Sequence, residues 1–546
     1  MFKTVFAFVS TLTVAVSVSS EAADIGNPVP VYSVVELAFR GPLQTPRDSP
    51  SRDIEFVVVF RHESGSPEYA IQGFWDGDGR GGMTGDVFKV RFCPTRAGRW
   101  SIAKTVSNCV QLDGQRRGET IIAAPSDLHG FWEVDEVSPG RRWYHRSDGS
   151  HQYILGNTHY SFLSGFGPGG RPVGNDIASD IRGNAVYFKK LRFGLMACRY
   201  PNPDDKPFLD DAGRPTDDGD YSHRPNPHWF HQRADVAAQT ALDVDLIADL
   251  ILCGPDAADA RSTLRAGANG GDPTPWLRYI AARYGSYPNV WICLCNEFDI
   301  KTPKYTPRQI ADYGQTIRRY LPYPTPLSVH TVPNTLWPDE FDSLPPWNDH
   351  QIIQKKLRNL ADSADVVQQV WRNRDGQGPR NKPTVNDELS YQGAGDRHSE
   401  GDTIEAHLGA FLGGGYGTTG FKPGSKLGHY FWGKFDPAEH TAADNLGWLR
   451  ETIDRDITFW RLAPDRGVFE NLDPRFRAMA WKSREYVLGT NAAKSGLIAN
   501  LGDGSWTVTS HDVMAKRSQV LATDASGRFN FDSPGSRAVL FHFQRN

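Results

Sequence analysis

The sequence has few cysteines, and their spacing is not typical of a disulfide or metal framework. Six are spread over 546 residues: Cys93, Cys109, Cys198, Cys253, Cys293 and Cys295. This density is too low for a disulfide scaffold, and no Cys-x-x-Cys or His-x-x-x-His spacing indicates zinc. The last four lie in apolar runs, which predicts buried thiols. Whether Cys93 and Cys109 form a disulfide stays open.

The sequence also lacks a strong excess of charge of either sign. Its net charge is −4 and its pI is about 6.5. Nothing in this balance indicates nucleic acid or an anionic membrane as a partner. No oligomeric state follows from it.

Long hydrophobic runs are missing beyond the N-terminus, which predicts no membrane span. Residues 1–22 resemble a secretory signal peptide. A positive charge at Lys3 is followed by an apolar stretch from Val5 to Val18 and by small residues at Ser20 and Ala22, as required for cleavage. We therefore expect a secreted or periplasmic protein.

Motifs that bind phosphate or dinucleotides, or that carry a nucleophilic serine, are absent as well. There is no Gly-x-Ser-x-Gly elbow, no Gly-Lys-Ser/Thr loop and no dinucleotide fingerprint. The glycine-rich run Gly413–Gly417 lacks the lysine of a phosphate loop. No cofactor is expected.

Strand-like alternation marks the first hundred residues after the leader. Candidate strands are Val31–Phe39, Ile54–Arg61, Tyr69–Trp75, Val87–Cys93 and Trp100–Val106, separated by turns rich in Gly, Pro and Asp. This pattern predicts an N-terminal β-sandwich over residues 24–125.

From residue 126 to about 470, strands alternate with helical stretches, which predicts a parallel sheet of βα units. Eight repeats match an α/β fold of the (β/α)₈ TIM-barrel type. The predicted strands are Tyr153–Thr158, Gly194–Arg199, Leu246–Cys253, Asn289–Cys295, Leu327–His330, Val366–Trp371, Lys382–Glu388 and a strand beginning at Gly413–Gly417. Residues 471–546 return to strand period and predict a small C-terminal β-sandwich.

A polar insertion, residues 201–227, follows the second predicted strand and holds seven aspartates. The interpretation favoured here is a solvated surface loop. Binding of cationic sugar substituents or Ca²⁺ is the alternative.

Two glutamates stand where predicted barrel strands end. Glu297 follows the fourth strand after Asn296, and Glu388 ends the seventh. Catalytic groups of such barrels lie at the carboxyl ends of the strands, and the fourth and seventh strands lie almost opposite each other. Two carboxyl groups facing one cleft are what glycoside hydrolysis requires. The 15 Trp, 19 Tyr and 29 Phe also suit sugar rings, although they equally fill large cores.

These motifs resemble clan A of the glycoside hydrolases. More closely, Val290-Trp291 through Asn296-Glu297-Phe298-Asp299, Lys382-Pro383 through Asp387-Glu388-Leu389-Ser390-Tyr391, and the glycine-rich Gly413–Thr419 resemble the apiosidase-like glycosidases, which carry an N-terminal β-sandwich and a C-terminal β-domain. Where that family often has His-Gly-Glu after the glycine-rich strand, this sequence has Thr419-Gly420-Phe421. The resemblance implies Glu297 as acid/base, Glu388 as nucleophile, and retention of configuration.

Further residues are candidates for contacts in the cleft. Asn296 is expected to bind the sugar 2-hydroxyl, and Arg199 to hold Glu388 ionised. Other candidate substrate contacts are Asn157, His159, His330, Gln369, Tyr391 and Trp432, with Trp432 as a platform under the sugar. Core packing or a surface salt bridge is the structural alternative for these residues.

The sequence thus predicts an exported retaining O-glycosyl hydrolase that cleaves a polysaccharide or oligosaccharide. The alternative is a non-catalytic carbohydrate-binding or surface-scaffold protein that uses the β-domains and aromatic faces. The sugar, the linkage and the choice between exo and endo action do not follow from the sequence.

Overall fold

The computed structural model describes residues 27–174, 176–196, 199–254, 262–265, 271–300, 302–333, 336–372, 379–425 and 428–546. The predicted signal peptide lies outside these residues. A central parallel barrel is preceded and followed by strand-rich domains. The expected fold class is therefore confirmed. The domain boundaries proposed from the sequence stay predictions.

The N-terminal domain consists of two sheets packed through alternating apolar side chains. Phe56, Val58 and Phe60 of one strand point inward, and the Phe60 ring stacks on Phe92 of the other sheet at 4.1 Å between centroids. The first sheet contains Val29–Pro30, Phe56–His62, Glu68–Gln72, Gly98–Ser107 and Thr120–Ala124, and the second contains Val35–Gln44, Phe74–Trp75 and Gly85–Phe92. Cys93 and Cys109 are free thiols, so the open disulfide question is answered against a bridge.

Eight parallel strands form the barrel wall. We number them β1 (Leu155–Thr158), β2 (Lys190–Gly194), β3 (Ile247–Ile251), β4 (Val290–Cys293), β5 (Leu327–Ser328), β6 (Gln351–Ile353), β7 (Thr384–Gln392) and β8 (Tyr416–Phe421). Neighbouring strands pair in sequence order, and β8 pairs with β1. A parallel bridge between His330 and Ile352 joins β5 to β6 and closes the ring.

Within the described part of the chain, seven helices of nine or more residues surround the barrel. They are α1 (Ile177–Ala185), α2 (Asp235–Asp243), α3 (Thr274–Tyr284), α4 (Pro307–Arg318), α5 (Leu360–Trp371), α6 (Glu400–Leu412) and α7 (Ala442–Asp456). Shorter helical segments are Pro50–Asp53, Pro227–Trp229, the π-helical Phe230–Ala234 and His429–Trp432. Small strand pairs are Trp132–Val134 with Tyr144–Arg146, Phe166–Gly167 with Arg171–Pro172, and Phe208–Leu209 with Pro215–Thr216.

The prediction of a sixth strand at Val366–Trp371 is wrong, because these residues belong to α5. The β-branched residues there suggested a strand, but the buried positions Leu360, Ala364, Val367 and Val370 recur at helical spacing. The side chain of Asn359 also caps the helix by accepting from the Asp362 amide. The true sixth strand, Gln351–Ile353, is only three residues long.

The second strand was predicted too late in the chain. It runs from Lys190 to Gly194, so Arg199 lies in the loop beyond it, and Ala197 and Cys198 fall outside the described residues. The strand is fully buried, but two of its five residues are cations, so its sequence does not have the apolar pattern of a buried strand. Lys190 and Arg192 alternate with Leu191 and Phe193, which places both cations on one face of the strand.

The C-terminal domain again has two sheets. The larger sheet contains Ala463–Pro464, Arg477–Trp481, Glu485–Thr490, Trp506–Asp512, Arg517–Ala525 and Val539–Arg545, and the smaller contains Phe469–Glu470, Lys494–Asn500 and Arg528–Ser533. Met479, Val487 and Leu540 of the larger sheet share an apolar cluster with barrel helices α6 and α7. No helix among the described residues is long and apolar enough to cross a membrane.

Candidate active site

Glu388 lies in an irregular part of β7. The pairing with β8 shifts between Asn386 and Ser390, so β7 carries two more residues here than its partner. Such bulges redirect side chains and occur near active sites. The consecutive carboxylates Asp387 and Glu388 both make contacts with side chains from other barrel strands. Glu388 is 6% exposed.

The Glu388 carboxylate is held by groups from three other barrel segments. The Tyr160 hydroxyl, just after β1, donates to Oε1. The Gln354 amide, just after β6, donates to Oε2 at 2.7 Å, and the Lys356 ammonium lies 3.0 Å from the same oxygen. His330 Nε2 lies 4.0 Å from Oε1. Both carboxylate oxygens therefore accept from fixed donors.

The surroundings of Glu388 keep it ionised. Burial alone would raise the pKa of this carboxyl group, but Lys356, His330, Arg192 and the Tyr160 hydrogen bond together lower it to about 2. His330 stays neutral at pH 7, because burial and the nearby Arg192 lower its pKa to about 3. Glu388 is therefore an anion at neutral pH.

Asn296 and Glu297 lie where the chain turns after β4. The Asn296 amide donates to the Cys253 carbonyl at 3.0 Å, and the Phe298 amide donates to the His330 carbonyl at 3.2 Å. These bonds tie the turn to the segments that follow β3 and β5. Glu297 has a φ of 48° and is 8% exposed. A left-handed conformation at a non-glycine residue is uncommon, and one adopted next to a candidate catalytic group fixes the direction of its side chain.

Arg192 on β2 connects the two carboxylate regions. Its Nη1 donates to the Tyr160 hydroxyl at 2.7 Å, and its Nη2 donates to the Asn296 Oδ1. Glu388, Tyr160, Arg192 and Asn296 therefore form one continuous hydrogen-bonded chain across the barrel mouth. The residue next to Glu297 and the Glu388 carboxylate are positioned by the same buried guanidinium.

A buried ion cluster lies beside this chain inside the barrel. The Lys190 ammonium contacts Asp387 and lies 2.9 Å from Asp249 Oδ2. Asp387 also accepts from the Thr418 hydroxyl at 2.6 Å and lies 3.7 Å from Arg192. Although burial opposes ionisation, Lys190 and Arg192 hold the pKa of Asp387 well below its usual range. The cluster ties β2, β3, β7 and β8 together beside the chain to Asn296.

Four residues expected in the cleft lie beside Glu388 or are linked to it. His330 and Tyr391 lie beside Glu388, and Asn296, the neighbour of Glu297, is joined to Glu388 through Arg192 and Tyr160. Glu297 is thus tied to Glu388 through its neighbour in the chain. The Tyr391 ring lies under the Lys356 ammonium, 3.3 Å from ring centroid to nitrogen. Trp432 is half-buried in the short helix after β8, and its ring lies 5.9 Å from that of Tyr200.

Four other expected residues have surroundings other than the Glu388 carboxylate: Arg199, Asn157, His159 and Gln369. Arg199 has its guanidinium 5.6 Å from the Phe431 ring, while Arg192 and Lys356 supply the positive charge at Glu388. Asn157 donates to Asn184 Oδ1 at 2.7 Å, and His159 Nδ1 lies 3.0 Å from Asp180 Oδ2, so both contact α1. These two residues are fully buried in the barrel wall.

Gln369 lies on the exposed side of α5. It lines a cavity of about 940 Å³ between α5 and the C-terminal domain, together with Gln368, Arg372, Asp465 and Arg477. Its assignment to the mouth of the barrel depended on the wrong sixth strand. None of the residues lining this cavity contacts Glu388.

Sequence analysis missed Tyr160, Arg192, Gln354 and Lys356. The alternating Lys-Leu-Arg-Phe of β2 was the available signal for Arg192, since a cation within a buried strand needs a partner in the barrel. Gln354 and Lys356 follow a three-residue strand that no periodicity reveals.

The aspartates of residues 201–227 are mostly paired with cations. Asp205 bonds Arg233, Asp210 bonds Arg214 and Asp211 bonds Arg224. No three His, Cys, Asp or Glu side chains of the described residues form a group suited to a metal ion. The pairing favours a surface loop held by salt bridges.

Comparisons with known proteins show which families and solved structures this chain resembles. A family model described as a domain of unknown function (DUF5060) matches residues 28–106, and no curated protein matches the chain. A solved structure of a candidate glycoside hydrolase from Bacteroides vulgatus ATCC 8482 has 20% identity and a TM-score of 0.71, covering 95% of this chain and 100% of that one.

Two further structures resemble a smaller part of the chain. A glycoside hydrolase of family 5 from the same organism has 12% identity and a TM-score of 0.57, covering 76% of this chain and 94% of its own. A structure described as a glycoside hydrolase has 14% identity and a TM-score of 0.57, covering 77% and 97%. This chain is therefore similar in fold to TIM-barrel glycoside hydrolases, in one case over nearly its whole length.

Proposed function

We propose that this chain is a retaining glycoside hydrolase of the clan A type, with Glu388 as nucleophile and Glu297 as acid/base. One observation supports this assignment most strongly. Glu388 is a buried carboxylate kept ionised by fixed donors, and a hydrogen-bonded chain links it to Asn296, the neighbour of Glu297. The similarity in fold to glycoside hydrolases makes a carbohydrate the expected substrate.

The proposed reaction has two displacements. A Glu388 oxygen bonds to the anomeric carbon while the glycosidic C–O bond breaks, and Glu297 gives its proton to the leaving oxygen. Glu297, now ionised, then takes a proton from water. The water oxygen attacks the anomeric carbon and releases Glu388 as a carboxylate. Two inversions at one carbon give net retention.

Neighbouring residues would support these steps by position and charge. The Asn296 Oδ1 accepts from Arg192, and this bond orients the side-chain amide that we assign to the sugar 2-hydroxyl. In place of Arg199, we propose Arg192 and Lys356 as the cations that keep Glu388 ionised. His330, whose Nε2 lies 4.0 Å from Glu388 Oε1, is assigned to a substrate contact beside the nucleophile.

Export belongs to the same proposal and depends on residues 1–22. An extended carbohydrate polymer outside the cell is a substrate that an exported enzyme meets directly. If the leader is removed after Ala22, N-terminal sequencing of the exported protein will read from Ala23. An unprocessed N-terminus on exported protein would contradict it.

Chemical rescue tests the catalytic assignment. The protein is first screened on polysaccharides and oligosaccharides, with the anomer of the product followed by NMR. On a cleaved substrate, Glu388→Gly should lose roughly four to six powers of ten in kcat. Added azide should restore turnover and give a glycosyl azide of inverted configuration, because azide replaces the missing nucleophile.

Two comparisons complete this test. Glu388→Gln removes the nucleophile without leaving space for azide and should not be rescued. Glu297→Gly should give a glycosyl azide of retained configuration, because azide then attacks the glycosyl-enzyme. Product inversion in the unmodified protein would overturn the nucleophile assignment. Sugar binding without any cleavage would favour the non-catalytic alternative.

A further inference from the structure

Positive charge is concentrated on one side of the barrel mouth. We call the described residues 354–359, 393–398 and 422–425, which follow β6, β7 and β8, the basic rim. Its cations are Lys355, Lys356, Arg358, Arg397 and Lys422, and its carboxylate is Asp396. The rim is therefore strongly positive although the chain as a whole has a net charge of −4.

Three of these cations meet at Asp396. The Lys356 ammonium lies 3.0 Å from Asp396 Oδ2, the Lys422 ammonium lies 2.7 Å from Oδ1, and the Arg358 guanidinium lies 3.4 Å from the Asp396 carbonyl. One side-chain carboxylate thus serves two ammonium groups. Glu388 is the second carboxylate that contacts Lys356.

Aromatic rings fix the two lysines in place. The Lys356 ammonium lies 3.3 Å from the Tyr391 ring centroid, and the Lys422 ammonium lies 5.4 Å from that of Tyr430. Both side chains keep some exposure, 25% for Lys356 and 19% for Lys422. They are positioned by the protein and still accessible to a ligand.

The acidic residues at the starts of α5 and α6 lie outside the rim and contact partners of their own. Glu400 and Asp402 begin α6, where Glu400 accepts from the Thr441 hydroxyl and Asp402 pairs with Arg537 of the C-terminal domain at 2.8 Å. Asp362 accepts from Asn359 at the start of α5. His398 adds no charge at pH 7, because burial and Arg358 lower its pKa to about 4.

The proposed reaction would increase the excess further. When Glu388 forms an ester with the sugar, it loses its negative charge, and Lys356 then has Asp396 as its remaining carboxylate. An anionic group on the bound carbohydrate would replace the lost partner at the point where charge becomes unbalanced.

We infer that the basic rim binds an anionic carbohydrate, one that carries carboxylate or sulfate groups on the sugar next to the cleaved bond. This inference rests on the proposed glycosidase function, since it places the anion beside Glu388. Carboxylate and sulfate share the chemistry that ammonium and guanidinium groups recognise, namely a negative charge spread over several oxygen acceptors.

Binding of matched polymers tests the inference without requiring turnover. The full chain carrying Glu297→Gln is titrated calorimetrically with a set of uronic-acid polysaccharides and their carboxyl-reduced forms. A second arm uses sulfated polysaccharides and their desulfated forms. In one of the two arms, the charged polymer should bind at least about tenfold more tightly than its neutral form. Raising the salt concentration should reduce this difference in affinity.

Variants locate the effect on the rim. Lys422→Gln and Arg397→Gln should each weaken binding of the charged polymer about two- to fivefold and leave the neutral form unaffected. Lys482 is an exposed lysine of the C-terminal domain. The matched control Lys482→Gln should change the affinity for neither the charged nor the neutral polymer.

Three results would overturn the inference. They are equal affinity for charged and neutral forms in both arms, no binding of any charged polymer, or an affinity gap that the rim variants leave unchanged. Cleavage of neutral substrates by the unmodified protein, without any preference for charge, would contradict the inference and leave the glycosidase proposal standing. Charge-selective binding with no cleavage of any bound polymer would contradict the glycosidase proposal instead.

Discussion

Glu388 and Lys356 show how two oppositely charged residues set the protonation of a buried site. Desolvation acts against the Glu388 charge, and Lys356 at 3.0 Å, together with His330, Arg192 and the Tyr160 hydrogen bond, more than offsets it. Because the pKa of Glu388 in the fold, about 2, is below its ordinary value of 4.5, its ionisation stabilises the fold fully above about pH 4.5. That contribution is lost as the pH falls toward 2.

Replacing Lys356 should move the acidic limb of the activity profile. Without its positive charge, the pKa of Glu388 rises, so Glu388 becomes protonated at a higher pH. We expect Lys356→Gln to shift the acidic limb of kcat/KM upward by about one pH unit or more.

The measurement is kcat/KM from pH 2 to 7 on any substrate that the chain cleaves. Lys482→Gln is the control, because Lys482 is an exposed lysine of the C-terminal domain and not part of the basic rim. An unchanged limb in the Lys356 variant would show that another residue sets it.

At the level of single elements, β2 combines a buried strand with two charged side chains. Lys190 and Arg192 occupy one face of β2 and point to Asp249 on β3 and Asp387 on β7. Buried ions of this kind add little net stability when paired but are costly when a partner is lost. Their arrangement fixes the orientation of β2 and β7 at the site.

Lys190→Met should therefore lower the free energy of unfolding by about 3–5 kcal/mol, since it leaves two buried carboxylates without their shared cation. Urea unfolding followed by tryptophan fluorescence measures the change.

The neighbouring Lys189 provides a matched control. It pairs with Asp245 at 2.7 Å, and the Asp245 side chain is 34% exposed, so solvent can replace the lost cation. Lys189→Met should lower the free energy of unfolding clearly less than Lys190→Met does. Equal losses in the two variants would contradict a special role for the buried cluster.

For the whole molecule, a buried ion network joins the N-terminal sandwich to the barrel. Arg91 of the sandwich lies 2.5 Å from Asp235 of α2 and donates to the Arg283 carbonyl at 2.9 Å. Arg283 of α3 contacts both Asp235, at 2.6 Å, and Asp76 of the sandwich, at 2.9 Å. Burial opposes the Asp235 charge, but Arg283 and Arg91 hold its pKa far below the usual range.

Asp235→Asn should destabilise this junction. Two buried guanidinium groups would lose their shared carboxylate, and we expect a loss of about 3–5 kcal/mol with a lower thermal midpoint. Differential scanning calorimetry measures it. Asp243→Asn, at the exposed end of the same helix, should leave the midpoint within about 1 °C, because surface substitutions rarely matter. An unchanged midpoint for Asp235→Asn would show that apolar packing alone holds the junction.

The sequence by itself determined the architecture: two β-domains that flank a barrel of alternating strands and helices. Period-two alternation predicted the flanking β-domains, and the alternation of strands and helices predicted the barrel. The pairs Asn296-Glu297 and Asp387-Glu388 stood out because polar residues that follow a buried apolar run have few structural explanations, although β7 continues past Glu388 to Gln392. These signals are local, since they depend only on neighbours along the chain.

Tertiary structure decided which side chains meet. Lys356 contacts Glu388, and Arg192 contacts the Tyr160 hydroxyl that donates to it. The start of β2 and the length of β6, which position these two cations, depend on pairing between strands far apart in the chain. Val366–Trp371 became a helix because its apolar face had a barrel wall to cover. The bulge in β7 depends on the register with β8. Contacts, burial and the resulting pKa values arise from distances between strands, and distances of that kind are not encoded in any single segment.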